Sequence, residues 1–209
     1  FNQELFEKLD NASFDASIWM GDEWGIPEWV QTFADNEIPS GGWWPRNASR
    51  LAVAPTKSTA LIMGGISEGI NPDPAFIYTQ STAGGEMSRI NPVLLEIMKQ
   101  REVYDKKHIQ EVIDKFGSVQ HVDWLTDEEK KVFRTAFELD QNVLVRLAAQ
   151  RGRWIDQWQS LNLFFSAEED PKYIVDVHRN AFNDPNIIGM YYIYSKSGVA
   201  GSKECEVCQ

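Results

Sequence analysis

Apolar positions follow two different patterns along the chain. Apolar residues recur at helical spacing within residues 1–9, 92–101, 106–116, 127–154 and 171–181. Short apolar runs, typical of buried strands, occupy residues 51–54, 76–79, 160–165 and 187–194. Because helices separate these short strands, the pattern predicts an α/β domain whose strands are mostly parallel.

Local signals mark the starts of several predicted helices. Asn91–Pro92 is a favourable start for one helix and Asp170–Pro171 for another, because a polar cap followed by proline suits the first helical turn. Thr126–Glu129 has the capping-box pattern and precedes the longest helical stretch. That stretch, residues 127–154, has a candidate break near Asp140.

The first 45 residues have no sustained period after a short helix. The helical pattern of residues 1–9 is interrupted at Asn11–Ser13. Five tryptophans then stand among acids, prolines and glycines: Trp19, Trp24, Trp29, Trp43 and Trp44. We expect residues 1–45 to be an irregular lead-in, with loops and short helical turns. The tryptophans either pack beneath these loops or form a docking surface for another chain.

Composition narrows the class of protein. With 209 residues, of which 43% are hydrophobic and 12% aromatic, the chain can bury a sizeable core. A net charge of -11 lacks the basic surface that grips phosphate backbones, so polymeric nucleic acid is not an expected partner. No apolar stretch reaches the ~18 residues of a spanning helix and no secretion signal is present, so the expected location is the cytoplasm.

The only two cysteines, Cys205 and Cys208, follow a small polar linker that we expect to be flexible. Four interpretations remain open. They are a thioredoxin-like site, a zinc site completed by His108, His121 and His178, an inert pair, and a dithiol that shuttles into an active site. Reach and close spacing favour the shuttling dithiol.

Two further segments carry candidate chemistry. Pro55–Thr59 follows a predicted strand and begins a predicted helix, a geometry that presents free backbone N–H groups to an anion. The alternative is an ordinary strand-to-helix connection with Ser or Thr as the cap. Tyr191 and Tyr192 are either packing residues or a functional pair. Since consecutive strand residues face opposite sides, a functional pair predicts a distorted strand there. No serine lies in a nucleophile elbow, which argues against a hydrolase.

Four motifs occur in the order found in the large catalytic subunit of class I ribonucleotide reductase, which the chain resembles. They are Arg46–Thr59, Ile155–Asn162, Tyr191–Tyr192 and Cys205–Cys208. The resemblance implies a ten-stranded α/β barrel built from two half-barrels, of which this chain is the C-terminal half. Residues 46–195 would form the half-barrel and residues 196–209 a flexible redox tail.

The resemblance also implies roles for individual residues. The substrate phosphates would lie against Pro55, Thr56, Lys57, Ser58 and Thr59. Tyr191 and Tyr192 would relay a radical from the small subunit, and Cys205 and Cys208 would re-reduce the active-site disulfide. The tyrosine pair favours class I over the cobalamin-dependent class, and hence a ribonucleoside diphosphate substrate. No metal or other cofactor is expected in this chain, because the dimetal-tyrosyl radical cofactor belongs to the small subunit.

The sequence departs from the family in one important respect: no cysteine precedes Cys205. The radical-carrying cysteine and the barrel cysteines would lie in the other half, so the chain is expected to be inactive alone. It is either a fragment or one chain of a naturally split subunit, as in phages. The expected partners are the N-terminal half, the small subunit, and thioredoxin or glutaredoxin. The alternative function is a non-enzymatic half-barrel that binds a phosphate ligand or a protein.

Overall fold

The computed structural model of the chain describes residues 1–37, 45–64, 67–82 and 85–196. The helices described there are α1 (Asn2–Trp24), α2 (Glu28–Glu37), α3 (Lys57–Ile62), α4 (Pro92–Gln100), α5 (Lys106–Asp114), α6 (Asp127–Val132), α7 (Gln141–Gly152) and α8 (Pro171–Asn183), with a 3-10 turn at Ala136–Glu138. The strands are β1 (Ile77–Thr82), β2 (Gly85–Ile90), β3 (Leu163–Ser166) and β4 (Ile193–Lys196). The chain is therefore α/β, as predicted. None of the described helices has the length and apolar composition needed to cross a membrane.

Parallel and antiparallel pairing both occur in the described residues. β3 and β4 are parallel, with Leu163 opposite Ile193, and Val53 forms a single parallel bridge with Gln159. The predicted strand at residues 51–54 is reduced to this bridge. β1 and β2 form an antiparallel hairpin, which differs from the expectation of mostly parallel strands. β2 was not predicted, because its sequence, Gly-Glu-Met-Ser-Arg-Ile, has few apolar residues to reveal a period.

Two hydrophobic cores support these elements. The first includes Ile77 from β1, Leu94 and Met98 from α4, and Val112 from α5, each almost fully buried. The second joins α7, β3 and α8 and includes five buried residues: Val145, Ala148, Leu163, Val177 and Ala181. The apolar stripes that predicted these helices are thus the faces that the cores bury.

The predicted helix starts are confirmed. Asn91 Oδ1 accepts from the N–H groups of Val93 and Leu94 at 3.0 and 3.3 Å at the start of α4. Thr126 and Glu129 form a complete capping box at the start of α6. Asp170 accepts from Lys172 N at 2.9 Å at the start of α8. Caps can be recognised in a sequence because both partners lie within one turn.

The predicted interruption of α1 at Asn11–Ser13 is wrong, because contacts distant in sequence hold the helix together. Arg50 forms an ion pair with Asp10 at 2.8 Å and donates to Asp10 O at 3.1 Å. Further along α1, the fully buried Ser17 donates from Oγ to Asn47 Oδ1 at 2.9 Å. These bonds outweigh the weak helix propensity of Asn and Ser.

Three of the five tryptophans are exposed, which disagrees with packing beneath loops, the first of the two alternatives. Trp19, Trp24 and Trp29 are 56%, 60% and 51% exposed, and they lie on or beside two helices where loops were expected. The rings of Trp19 and Trp24 contact each other edge to face at 5.6 Å. Trp43 and Trp44 lie outside the described residues.

The predicted helix over residues 127–154 is divided into α6, the 3-10 turn and α7. The division follows from the buried side chain of Gln141, whose Nε2 donates to Ala136 O at 2.9 Å and Leu139 O at 2.7 Å. These carbonyls are therefore satisfied without helical bonds. The break that Asp140 suggested is real, with Asp140 as the cap of α7.

Candidate functional site

Residues 157–163 bond both to the backbone just before the candidate segment Pro55–Thr59 and to the tyrosine pair. Val53 N donates to Trp158 O at 3.2 Å, and Ser160 N donates to Val53 O at 2.8 Å. On the other side, Tyr191 N donates to Leu161 O at 2.9 Å. The sequence separates these segments by more than 130 positions, yet one stretch of backbone connects them.

The segment Pro55–Thr59 is exposed and leads into the short helix α3. Thr56 is in the left-handed region with φ 51, and its hydroxyl accepts from Gly69 N at 2.9 Å. Because the hydroxyl is used in this way, α3 has no side-chain cap. Thr56 occupies the N-cap position, but its side chain does not form the ordinary Ser or Thr cap that was the alternative interpretation. The N–H groups of the first turn point away from any acceptor within the helix, as at every helix start.

Gly69 completes the turn opposite Thr56. Its φ of +58 is one that glycine adopts without strain, and a Cβ there would lie 2.9 Å from Ala54 O and 3.3 Å from Pro55 O. The backbone of this turn thus packs directly on the backbone that leads into the candidate phosphate segment. The close approach requires glycine.

Charge near the segment comes from Lys57, whose Nζ lies 3.9 Å from Glu68 Oε1. Both side chains are close to half exposed, so the pair is weak and screened by solvent. The ammonium of Lys57 also acts on Tyr191, where its positive charge opposes a rise in the phenol pKa. Lys57 therefore lies within electrostatic range of both candidate sites.

Tyr191 and Tyr192 lie together, just before β4. Their ring centroids are 4.2 Å apart and the ring planes are tilted by 58°. The two residues precede the strand, which begins only at Ile193, so their backbone is free to place both rings on one side. The strand predicted over residues 187–194 is thus mostly irregular, in agreement with the distortion that a contacting pair requires.

The tyrosine pair affects the acidity of its first member. A hydrogen bond with Tyr192 is the largest cause that raises the pKa of Tyr191, followed by the charge interaction with Tyr192. The Tyr191 phenol therefore keeps its proton at neutral pH. Both side chains are about half exposed, at 46% and 50%, and are accessible to a partner surface.

A row of aromatic rings continues from the pair to β3 and the 3-10 turn. Tyr192 and Tyr194 lie 5.7 Å apart, and Tyr194 stacks on Phe164 at 5.0 Å. Phe164 in turn meets Phe137 edge to face at 5.4 Å. These contacts fix the start of β4 on β3 and so hold the tyrosine pair from one side.

Two buried asparagines complete the connection between the segments, and the sequence interpretation assigned neither of them a role. Asn71 is 8% exposed and Asn162 is 4% exposed. Asn71 Oδ1 accepts from Asn162 N at 3.1 Å, and Asn162 Oδ1 accepts from Tyr192 N at 3.1 Å. In the sequence Asn71 begins the run Asn-Pro-Asp-Pro, which has the composition of a turn. Only the long-range pairing reveals its burial.

Two hollows lie away from these residues. A groove of about 410 Å³ between α7 and α8 has Arg146, Arg153 and Asp184 in its lining. A cavity of about 30 Å³ is lined in part by Asp73 and Tyr78, and burial raises the pKa of both groups. Neither hollow includes the candidate residues, which are exposed on the surface of the chain.

The remaining candidates are not brought together. Cys205 and Cys208 lie outside the described residues. In the part of the chain that the structure describes, no three His, Cys, Asp or Glu side chains form a group able to hold a metal ion. His108 is instead hydrogen-bonded to Asp105 at 2.9 Å, His121 lies 3.6 Å from Glu111, and His178 bonds to Ile174 O at 2.7 Å. The three histidines therefore serve separate local contacts.

Comparison with known proteins gives consistent results. Residues 4–193 match the family described as ribonucleotide reductase, barrel domain. The ribonucleoside-diphosphate reductase large subunit of Invertebrate iridescent virus 3 is 38% identical over 155 residues, which are 72% of this chain and 24% of that protein. The large subunit of Danio rerio is 29% identical over 224 residues, covering 94% of this chain and 27% of that protein.

A solved structure shows the same similarity in three dimensions. The class Id ribonucleotide reductase alpha subunit of Actinobacillus ureae superposes with a TM-score of 0.77 at 27% sequence identity. The match covers 93% of this chain and 34% of that subunit. The chain thus spans about a third or less of the length of these relatives.

Proposed function

Because the chain belongs to the ribonucleotide reductase family through its barrel domain, we propose that it supplies the C-terminal part of the catalytic subunit of a class I ribonucleoside-diphosphate reductase, with the C-terminal half of the barrel. In this proposal residues 46–195 form the half-barrel, and residues 1–45 and 196–209 are a lead-in and a redox tail. The parallel pair β3–β4 and the bridge at Val53 are parts of the ten-stranded barrel. The other half-barrel comes from the remainder of the large subunit.

The observation that carries the proposal is the contact between Tyr191 and Tyr192. Their ring centroids lie 4.2 Å apart, and both rings are about half exposed. An electron and a proton can pass together between two phenols only over such a short separation. The contact therefore supports a radical relay from the small subunit, which holds the dimetal-tyrosyl radical cofactor, toward the barrel.

The phosphate segment supports the choice of substrate. Pro55–Thr59 offers the uncapped first turn of α3, three hydroxyls and the ammonium of Lys57. Backbone N–H groups and a cation together suit a diphosphate. We assign the segment to the diphosphate of a ribonucleoside diphosphate. The same stretch of backbone, residues 157–163, bonds to Val53, two residues before this segment, and to the tyrosine pair.

The cysteines complete the proposed cycle. Cys205 and Cys208 reduce the disulfide that forms in the barrel during turnover, and thioredoxin or glutaredoxin then reduces them. Every partner in this scheme acts in the cytoplasm, which is where we place the protein. The chain is inactive until it is assembled with the rest of the large subunit and with the small subunit.

Reconstitution tests the proposal. The chain, the remainder of the large subunit and the small subunit should together reduce cytidine diphosphate (CDP). Tyr191→Phe and Tyr192→Phe should each abolish the reaction, because phenylalanine keeps the ring and removes the ionisable hydroxyl. Tyr104→Phe is the matched control, because Tyr104 is an exposed tyrosine between α4 and α5. Full activity in either dyad variant would refute the relay.

A separate experiment tests the cysteine tail. The double variant Cys205→Ser, Cys208→Ser should stop turnover when thioredoxin is the reductant. The same variant should remain active with a small dithiol that can enter the barrel directly. Loss of activity with both reductants would rule out a shuttle role, since the small dithiol needs no arm.

A further inference from the structure

A continuous set of hydrogen bonds connects the phosphate segment with the tyrosine pair. It begins at Thr56, whose hydroxyl accepts from Gly69 N at 2.9 Å. Two residues further along, the Asn71 side chain donates to Ser160 O at 3.2 Å and accepts from Asn162 N at 3.1 Å. The Asn162 side chain then accepts from Tyr192 N at 3.1 Å.

Burial stiffens the middle of this connection, whereas the bond from Gly69 N to the Thr56 hydroxyl is exposed. Asn71 and Asn162 are 8% and 4% exposed, so water does not replace a bond that either side chain loses. Asn71 also donates to Glu68 O at 3.3 Å, within the turn that packs on Thr56. A shift of this turn therefore requires the Asn71 amide to move, and with it the backbone on which Tyr192 rests.

We infer that Asn71 and Asn162 are positioning residues that keep the phosphate segment and Tyr192 in fixed register. The inference rests on the proposed function. If a diphosphate binds at Pro55–Thr59 and the tyrosines relay a radical, the fixed register keeps the bound substrate at a set distance from the tyrosine pair. Neither asparagine touches the reacting atoms. Each acts through the backbone that it holds.

The two side chains use their amides differently, and this difference allows a sharp test. Asn162 holds Tyr192 through its oxygen, whereas Asn71 uses its oxygen toward Asn162 and its nitrogen toward Ser160. Aspartate has the same shape but lacks the N–H donors. Asn162→Asp therefore preserves the bond to Tyr192. Asn71→Asp loses the bond to Ser160 O and sets a carboxylate against that carbonyl.

The test uses the assembled enzyme with CDP as the probe, and measures kcat together with the dissociation constant of CDP. Asn162→Asp should keep kcat within about threefold of the parent, and Asn71→Asp should lower it by about tenfold or more. Asn162→Leu should also lower kcat by about tenfold while CDP binding changes less than about threefold, because its backbone N–H still bonds to Asn71.

A control separates positioning from general loss of stability. Gln120 is part of the first core region, where its Nε2 donates to Lys130 O at 2.8 Å and Phe133 O at 2.7 Å. Gln120→Leu should lower the melting temperature and leave both kcat and CDP binding unchanged. If Asn71→Asp does not fold, the two Asn162 variants are compared instead, by the ¹⁹F signal of 3-fluorotyrosine incorporated at Tyr192. It should move in Asn162→Leu and stay in place in Asn162→Asp.

Equal kcat values in Asn71→Asp and Asn162→Asp would overturn the inference, as would an unchanged ¹⁹F signal in Asn162→Leu. If the parent assembly neither binds nor reduces CDP, the proposed function itself fails. If the parent does both and the two aspartate variants behave alike, only the positioning role fails.

Discussion

The ring of Trp158 lies directly against Gly189, two residues before the tyrosine pair. A Cβ on Gly189 would come within 2.4 Å of Trp158 Cη2 and 2.6 Å of Cζ2. These distances are too short for a side chain unless the indole ring, which is 49% exposed, moves away, so glycine allows the ring to lie where it does. Trp158 O also accepts from Val53 N, so one residue supports the strand bridge and the approach to the pair.

Gly189→Ala should therefore displace the segment before Tyr191 and destabilise the fold by about 1–3 kcal/mol, the usual cost of overpacking. Trp158→Ala removes the ring that clashes, so the double variant should be more stable than the sum of the two single effects. Urea denaturation of the four proteins measures this coupling. Additive effects would contradict a direct clash.

The acidity of Tyr191 should respond to both of its neighbours. The hydrogen bond with Tyr192 is the main cause of its raised pKa, and the charge of Lys57 opposes the rise. Tyr192→Phe should therefore lower the pKa of Tyr191 toward its ordinary value of 10.0, and Lys57→Met should raise it further. An NMR titration of protein labelled with ¹³C at the tyrosine ζ carbon follows the unmodified phenol directly. Tyr104→Phe serves as the control and should leave the Tyr191 signal unchanged.

Glu68 should weaken diphosphate binding, because its carboxylate lies 3.9 Å from the Lys57 ammonium and competes with a phosphate. Glu68→Gln removes this charge and should tighten CDP binding to the assembled enzyme by about two- to fivefold, a small effect because both groups are exposed. Calorimetry at low and high salt measures it, and the gain should shrink at high salt. Glu111→Gln on α5 changes the net charge equally and should have no effect. Equal gains from both variants would mean that only net charge matters.

The features that could be predicted from the sequence are those whose interacting residues lie close together in the chain. The caps at Asn91, Thr126 and Asp170 were all found, because each cap bonds to a backbone group within three residues. The sequence also predicted that a contact between the two tyrosines requires a distorted strand, because consecutive residues of a regular strand face opposite sides. These inferences needed no knowledge of the tertiary structure.

The errors arose where partners are far apart in the chain. α1 continues through Asn11–Ser13 because Arg50 bonds to Asp10, and Ser17 bonds to Asn47, 30 positions away. Asn71 meets Asn162 across 91 positions. The local pattern of apolar residues does not reveal bonds between distant residues. The sequence therefore indicated the segments of the site but not the side-chain amides of Asn71 and Asn162 that connect them.

The pair Tyr173 and Asp140 provides a test of stability against pH. The Tyr173 hydroxyl donates to Asp140 Oδ1 at 2.7 Å and accepts from Gln141 N at 2.7 Å, which ties α8 to the start of α7. Burial, with the hydrogen bond to Asp140, raises the pKa of Tyr173 to about 12 from 10.0. The Tyr173 hydrogen bond lowers the pKa of Asp140.

The sign of each contribution follows from these shifts. Tyr173 is protonated in both states below pH 10, so its stabilisation is complete there and disappears as the pH rises from 10 to about 12. Asp140 behaves oppositely, and its stabilisation is present above its ordinary pKa of 3.8 and is lost as the pH falls below it. Tyr173→Phe should cost about 1–2 kcal/mol at neutral pH, because it removes a bond to a charged acceptor. The difference in unfolding free energy between parent and variant should be constant near neutrality and shrink toward both extremes. A difference that persists at pH 12 would show that the hydroxyl contributes by packing alone.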